Sequence, residues 1–213
     1  MTICPPQRLL EGYRRFKQER YPDEAERFAN LAQGQAPATM VIACADSRVD
    51  PATIFSAAPG ELFVVRNVAA LVPPCQENAG YHGTSAALEF AVVQLEVTDI
   101  VVLGHGQCGG IAAALADAGN QPLGRFIKPW VDLLAPMRDA VVADGALITP
   151  EDRQGALELL GIQQSLTNLT TFPFVQSAIA AGALQLHGAW FSIADADLHW
   201  LDEMGEAFEP QNL

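Results

Sequence analysis

The sequence predicts an α/β domain: a mostly parallel central sheet of four strands with an antiparallel edge strand, flanked by helices. Three observations carry this expectation. Short apolar runs of strand length, TMVIAC, ELFVV and DIVVLG, combine Thr, Val and Ile in the way that suits buried parallel strands. Segments with helical period lie between them, and strands alternating with helices imply βαβ units. No internal repeat or low-complexity linker interrupts the 213 residues, so 1–213 reads as a single domain.

The elements follow in order. Leu9, Leu10, Tyr13 and Phe16, then Ala25, Phe28 and Leu31, recur at helical spacing, and Pro22 divides the stretch into two helices because a mid-helix proline removes a donor and clashes with the previous turn. TMVIAC is the first strand, and PGELFVVRN, opened by a Pro-Gly turn, is the second. GTSAALEFAVVQLEV is an amphipathic helix with Thr84 or Ser85 as the expected N-cap. DIVVLG is the third strand and feeds the helix GGIAAALADAG. Residues 123–181 read mainly as helices, and ALQLHGAWFSIADADLHWLDE supplies a fourth strand and an antiparallel edge hairpin.

Half of the residues are hydrophobic, enough for a substantial core, and no apolar run reaches the 18 or more residues of a spanning helix. The N-terminus turns charged too soon for a signal peptide, so a cytoplasmic protein is expected. A formal net charge of −13 argues against nucleic acid or an anionic membrane as partner, since both need clustered Lys and Arg.

Two strand ends carry the chemistry. Ligands of open α/β sheets bind outside the carboxyl ends of the strands. The first strand ends in Cys44, Asp46 and Arg48, and the third in His105 and Cys108, as His-x-x-Cys. Two thiolates and an imidazole from neighbouring strand tips suit Zn²⁺, and a set of three leaves the fourth position open, as in catalytic zinc sites. Alternation in an extended segment would point Cys44, Asp46 and Arg48 the same way, with Ala45 and Ser47 as spacers. Asp46 would either bind the metal or accept a hydrogen bond from its water, and Arg48 would hold it in a bidentate pair. Gly109 and Gly110 open a helix whose free N–H groups suit a developing negative charge. Cys4, Cys75, His82, His187 and His199 read as packing or surface residues.

Cys44-x-Asp46-x-Arg48 followed by His105-x-x-Cys108-Gly-Gly resembles the β-class carbonic anhydrases, and the similarity runs from LLEGYRRFK through GELFVVRNVAALVPP and GTSAALEFAV to LHGAWF. The resemblance implies one Zn²⁺ per chain, held by Cys44, His105 and Cys108, with Asp46 and Arg48 as the dyad beside it. It implies reversible hydration of CO₂ to bicarbonate and a proton by attack of zinc-bound hydroxide. Gln35, Phe63 and Phe90 align with a substrate pocket at a dimer interface, with Val68 completing its apolar wall and Gly109 beside the metal; the family often has Tyr in place of Phe90. Residues 1–36 would form an N-terminal helical arm that wraps a partner, in a homodimer or a higher homo-oligomer. The allosteric branch carries Trp at the position of Val41, so despite Arg66 no regulatory bicarbonate site is expected, and the match is to the plant-type branch. Ala45 and Ala70 replace the more usual Ser and Asn.

Two thiolates and a neutral imidazole leave the zinc site formally near neutral, so its water should be harder to deprotonate than in a three-histidine site. Asp46, oriented by Arg48, would compensate by accepting a hydrogen bond from the zinc-bound oxygen. Three other readings compete. Relatives on this scaffold hydrolyse carbonyl sulfide or carbon disulfide. A non-catalytic zinc-binding relative would be expected to lose a ligand or the dyad, which this chain keeps. A thiol redox protein would carry Cys-x-x-Cys, which is absent.

Overall fold

The computed structural model describes residues 4–76, 80–118 and 123–210. By internal contacts the chain divides into two compact units, Met1–Ala36 and Pro37–Leu213.

The first unit is helical. α1 (Gln7–Arg15) runs through a π-helical turn, Phe16–Arg20, into α2 (Tyr21–Leu31). Pro22 is the second residue of α2, directly after the π-helical turn. The division expected near Pro22 is therefore a widened turn in a continuing helix. Phe16, Tyr21 and Phe28 pack on one another, with ring centroids 5.6–6.2 Å apart.

The second unit is built on a six-stranded sheet. Its strands are β1 (Thr39–Cys44), β2 (Leu62–Asn67), β3 (Asp99–His105), β4 (Gln185–Phe191), β5 (Leu198–Leu201) and β6 (Phe208–Pro210), in the order β2-β1-β3-β4-β5-β6. The first four are parallel and the last two antiparallel. The edge thus holds two short strands where one was expected, and it ends at Pro210, which has no N–H to offer a further strand. Because β2 lies on one side of β1 and β3 on the other, the chain reverses its direction of travel across the sheet between β1 and β3. In open α/β sheets that switch point opens a crevice at the carboxyl ends of the two strands.

The helices are α3 (Pro51–Ile54), α4 (Gly83–Glu89), α5 (Gly109–Ala118), α6 (Ile127–Val131), α7 (Ala135–Ala143), α8 (Pro150–Leu169) and α9 (Pro173–Ala180). Contrary to expectation, neither Thr84 nor Ser85 caps α4. The helix begins at Gly83, with His82 at the cap position and no side-chain cap bond. Thr84 is buried and its hydroxyl instead accepts from Asn67 Nδ2 at 3.3 Å, a tertiary partner that outcompetes the local one. A π-helical turn, Phe90–Gln94, continues α4. α8 opens on a capping box, Thr149 with Asp152, and Pro150 at its first turn.

The main core lies between the sheet and the helices and gathers Met40, Ile42, Leu88, Ile100, Val102, Ile162 and Leu169. A second cluster surrounds the carboxyl ends of β1 and β3 and includes Cys44, Cys108, Leu71, Ile111, Leu134 and Leu157. α8 reaches the sheet closely because β3 has no side chain at Gly104: a Cβ there would stand 2.7 Å from Ile162 Cδ1 and 2.9 Å from its Cγ1. The α8–β3 contact matters for the site, since His105 is the next residue along the strand. Gly104→Ala should cost about 1–3 kcal/mol through overpacking. A thermal unfolding midpoint several degrees below wild type would show it, and an unchanged midpoint would mean that α8 can shift freely.

Candidate metal centre

Each donor arrives on a different part of the switch point. Cys44 is the last residue of β1 and His105 the last of β3. Cys108 stands just before α5, after a tight turn in which Gln107 adopts a positive φ of 54°. All three are buried, at 5 %, 1 % and 2 % exposure respectively. Their ligand atoms lie within 4.8 Å of one another, and they form the group of metal-ligand type found among the described residues.

The donors fit zinc on two independent grounds. The Cys44 and Cys108 sulfurs are 3.8 Å apart, and two sulfurs each about 2.3 Å from a tetrahedral zinc would be separated by roughly that distance. His105 Nδ1 is 2.9 Å from the Gly106 carbonyl, which fixes Nδ1 as the protonated nitrogen and leaves the lone pair on Nε2. That Nε2 is buried and has no hydrogen-bond partner, an unusual state for an imidazole nitrogen unless it serves as a ligand.

The cluster is electrostatically prepared for a cation. The hydrogen bond from Cys108 lowers the Cys44 thiol against the opposing effect of burial, with the His105 side chain and the Asp46 and Ala69 backbone N–H groups assisting. Sharing that proton, together with burial, pushes the Cys108 thiol up, although the N–H groups of Ile111 and Gly110 pull against this. Burial draws the His105 imidazole down, yet the Cys44 sulfur and the Gly106 carbonyl outweigh it and raise it. A proton is therefore held between donors that a divalent metal would displace it from.

Asp46 stands beside this group, its Oδ2 4.0 Å from His105 Nε2. Arg48 grips it bidentately: Nε donates to Oδ1 at 2.9 Å and Nη2 to Oδ2 at 2.7 Å, while the Arg48 backbone N–H adds a third bond to Oδ1 at 2.9 Å. These bonds hold the Asp46 carboxyl well below the usual carboxylate range. Arg48 Nη2 also donates to the Gln107 carbonyl at 3.1 Å, tying the two loops together. The pairing does not arise from strand alternation as the sequence predicts. β1 stops at Cys44, and a turn through Ser47 and Arg48 folds the guanidinium back over the carboxylate.

Of the remaining expected site residues, Phe63 and Phe90 stack with centroids 5.9 Å apart, and Phe90 is 45 % exposed. Val68 begins a short 3₁₀ turn, Val68–Ala70, and is itself partly exposed. Gln35 is exposed near the end of the first unit. The helix N-terminus after Cys108 serves the Cys108 sulfur through the N–H groups of Gly110 and Ile111. Gly110 is the glycine that packing demands, since a Cβ there would lie 2.6 Å from Val68 Cγ1 and 2.9 Å from Ala69 Cβ, whereas one on Gly109 would meet nothing within 4 Å. None of Cys75, His187 or His199 belongs to the metal-ligand group: Cys75 packs against the core, His187 pairs with Asp99 at 2.9 Å, and His199 packs edge-on to Trp190.

Sequence reasoning missed several supports. Glu158, 4 % exposed on α8, accepts the Cys108 backbone N–H at 3.0 Å and is held in turn by Gln154 and Trp190. Its signal was a carboxylate embedded in the apolar run ALELLGI. Trp130 donates to the Val68 carbonyl at 2.8 Å, bracing the turn against which α5 packs. Arg66, present in the sequence but assigned no task there, bonds to the turn after β1.

The carbonic anhydrase family model matches residues 39–198. The chain belongs to that family and, by its relatives, to the β class. Two of those relatives are from Arabidopsis thaliana: chloroplastic β carbonic anhydrase 5, 38 % identical over 88 % of this chain, and mitochondrial β carbonic anhydrase 6, 36 % identical over 89 %. The chain spans 62 % and 65 % of their respective lengths. Among solved structures, the β-carbonic anhydrase CcaA superposes with a TM-score of 0.90 at 32 % identity, covering 96 % of this chain and 98 % of that one. Tetrameric β-carbonic anhydrases of Sordaria macrospora give 0.79 at 31 % identity, covering 91 % and 94 %.

If the donor set holds a metal, bound zinc should shield Cys44 and Cys108. Mass mapping after brief alkylation should show Cys44 modified faster once a chelator has stripped the protein, with zinc restoring protection. Equal rates with and without metal would contradict the ligand set.

Proposed function

We propose that this chain catalyses the reversible hydration of CO₂ to bicarbonate and a proton, using one Zn²⁺ held by Cys44 Sγ, His105 Nε2 and Cys108 Sγ. The observation that carries the reading is the orphaned, buried His105 Nε2 facing two sulfurs 3.8 Å apart, with an ionised carboxylate 4.0 Å away. Family membership supports it.

When bound, zinc supplies a nucleophile near neutral pH by lowering the pKa of a coordinated water. The protein's own groups do the rest. Arg48 keeps Asp46 ionised and directs its carboxylate, which would accept a hydrogen bond from the attacking group and so orient it. Asp46 is engaged by Arg48 and so is held as a hydrogen-bond acceptor beside the three donors. The assignment of the stacked Phe63 and Phe90 to an apolar substrate wall rests on the family resemblance. The roles of Gln35, Val68 and Gly109 toward substrate rest on the family resemblance. A homo-oligomeric state is supported by the tetrameric relatives of Sordaria macrospora.

The test is zinc content together with CO₂ hydration, with H₂S release from carbonyl sulfide and carbon disulfide measured alongside. About one zinc per chain and efficient CO₂ turnover are expected; preference for the sulfur compounds would overturn the substrate. Asp46→Asn should keep its zinc and lose roughly a hundredfold or more in kcat/KM. Cys108→Ser should lose zinc on dialysis, and unchanged stoichiometry there would contradict its role as a ligand.

A further inference from the structure

The turn that carries Asp46 is anchored at its far end by the Val49 side chain, 1 % exposed in the cluster around the donors, but few backbone bonds hold the residues between. The last sheet bond before it runs from the Ala45 N–H to the Asn67 carbonyl at 2.7 Å. Beyond that point, the bonds within the turn are from the Val49 N–H to the Asp46 carbonyl at 3.2 Å and from the Arg48 N–H to Asp46 Oδ1 at 2.9 Å. The Asp46–Arg48 pair is likewise internal and would travel with the turn; one bond, from Arg48 Nη2 to the Gln107 carbonyl at 3.1 Å, ties it to the loop that carries His105 and Cys108.

Arg66 reaches the turn from β2, where it lies opposite Ala43. Its Nε donates to the Cys44 carbonyl at 2.9 Å, and its Nη2 donates to the Asp46 carbonyl at 2.5 Å and the Val49 carbonyl at 2.9 Å. Nη1 stands 3.4 Å from Asp50 Oδ1. One rigid, planar cation thus gathers the carbonyls of three residues onto a neighbouring strand.

We propose that Arg66 is a positioning residue: by clamping the backbone of residues 44–49 to β2, it sets where Asp46 holds its carboxylate. The guanidinium fork is essential to this task. Lysine would offer a single nitrogen, and the three carbonyls are met at two different nitrogens of Arg66. The inference rests on the carbonic anhydrase reading for its kinetic arm only.

Arg66→Lys and Arg66→Met, each alone and combined with Asp46→Asn, would be compared on zinc-loaded protein. Zinc should stay near one per chain. Amide hydrogen exchange across residues 45–50 should accelerate while β3 stays protected. The kcat/KM per bound zinc should fall about 10–100-fold in both variants, as is usual for supports just outside a metal site. In the Asp46→Asn background the same substitutions should add less than twofold, because the residue through which Arg66 acts is already disabled. A merely structural role would instead multiply the two losses in full, and that result overturns the proposal. So would unchanged exchange in the turn, full activity in Arg66→Lys, or loss of zinc from it, the last marking Arg66 as a support for Cys44. Should wild-type protein fail to hydrate CO₂, the functional reading falls while the exchange arm still decides whether the clamp exists.

Discussion

Parallel pairing of β1 with β3 at the point where the sheet reverses direction is the constraint on which the rest of this molecule depends. Pairing of Ala43 with Leu103 brings Cys44 alongside Gly104, one residue short of His105. Only that register lets a four-residue turn, His105 to Cys108, return a second sulfur to within 3.8 Å of the first. A slip by one residue would carry His105 to the other face of the sheet and dissolve the donor set. The close approach of α8 at Gly104 and of α5 at Gly110 both serve this register, because each packs directly against an end of the metal loop.

The site concentrates opposing charges with little water to separate them. Buried thiols and a buried imidazole disfavour their own charged forms, yet the N–H groups of Asp46, Ala69, Gly110 and Ile111 point at the sulfurs and favour thiolate. A divalent cation would resolve the conflict by replacing protons at once on several donors. The two thiolates would balance that cation, while Arg48 balances Asp46 and keeps it ionised.

Supports for this centre come from distant parts of the chain. Glu158, fifty residues beyond Cys108, holds the Cys108 N–H from below. Trp130 braces the turn at Val68. Arg66 lies twenty-two residues after Cys44 and bonds to its carbonyl. None of these belongs to a short motif, and each acts through a backbone group that has no signature in sequence. The same explanation covers Thr84, whose local role as a cap gives way to Asn67, and Arg48, whose approach to Asp46 depends on a turn that an alternating strand pattern does not foresee.

Local chemistry was legible from sequence alone: apolar β-branched runs marked the strands, proline and glycine marked their limits, and paired thiol, imidazole and carboxylate residues marked the strand tips. These are properties of a residue and its near neighbours, so a linear chain displays them. The strand order, the second antiparallel edge strand and the stacking of Phe63 on Phe90 were decided only by tertiary structure. So was the network of Arg66, Glu158 and Trp130 behind the metal donors. Each depends on which surfaces meet when the sheet closes on its helices, and that is settled by packing and hydrogen bonding between segments far apart in the chain.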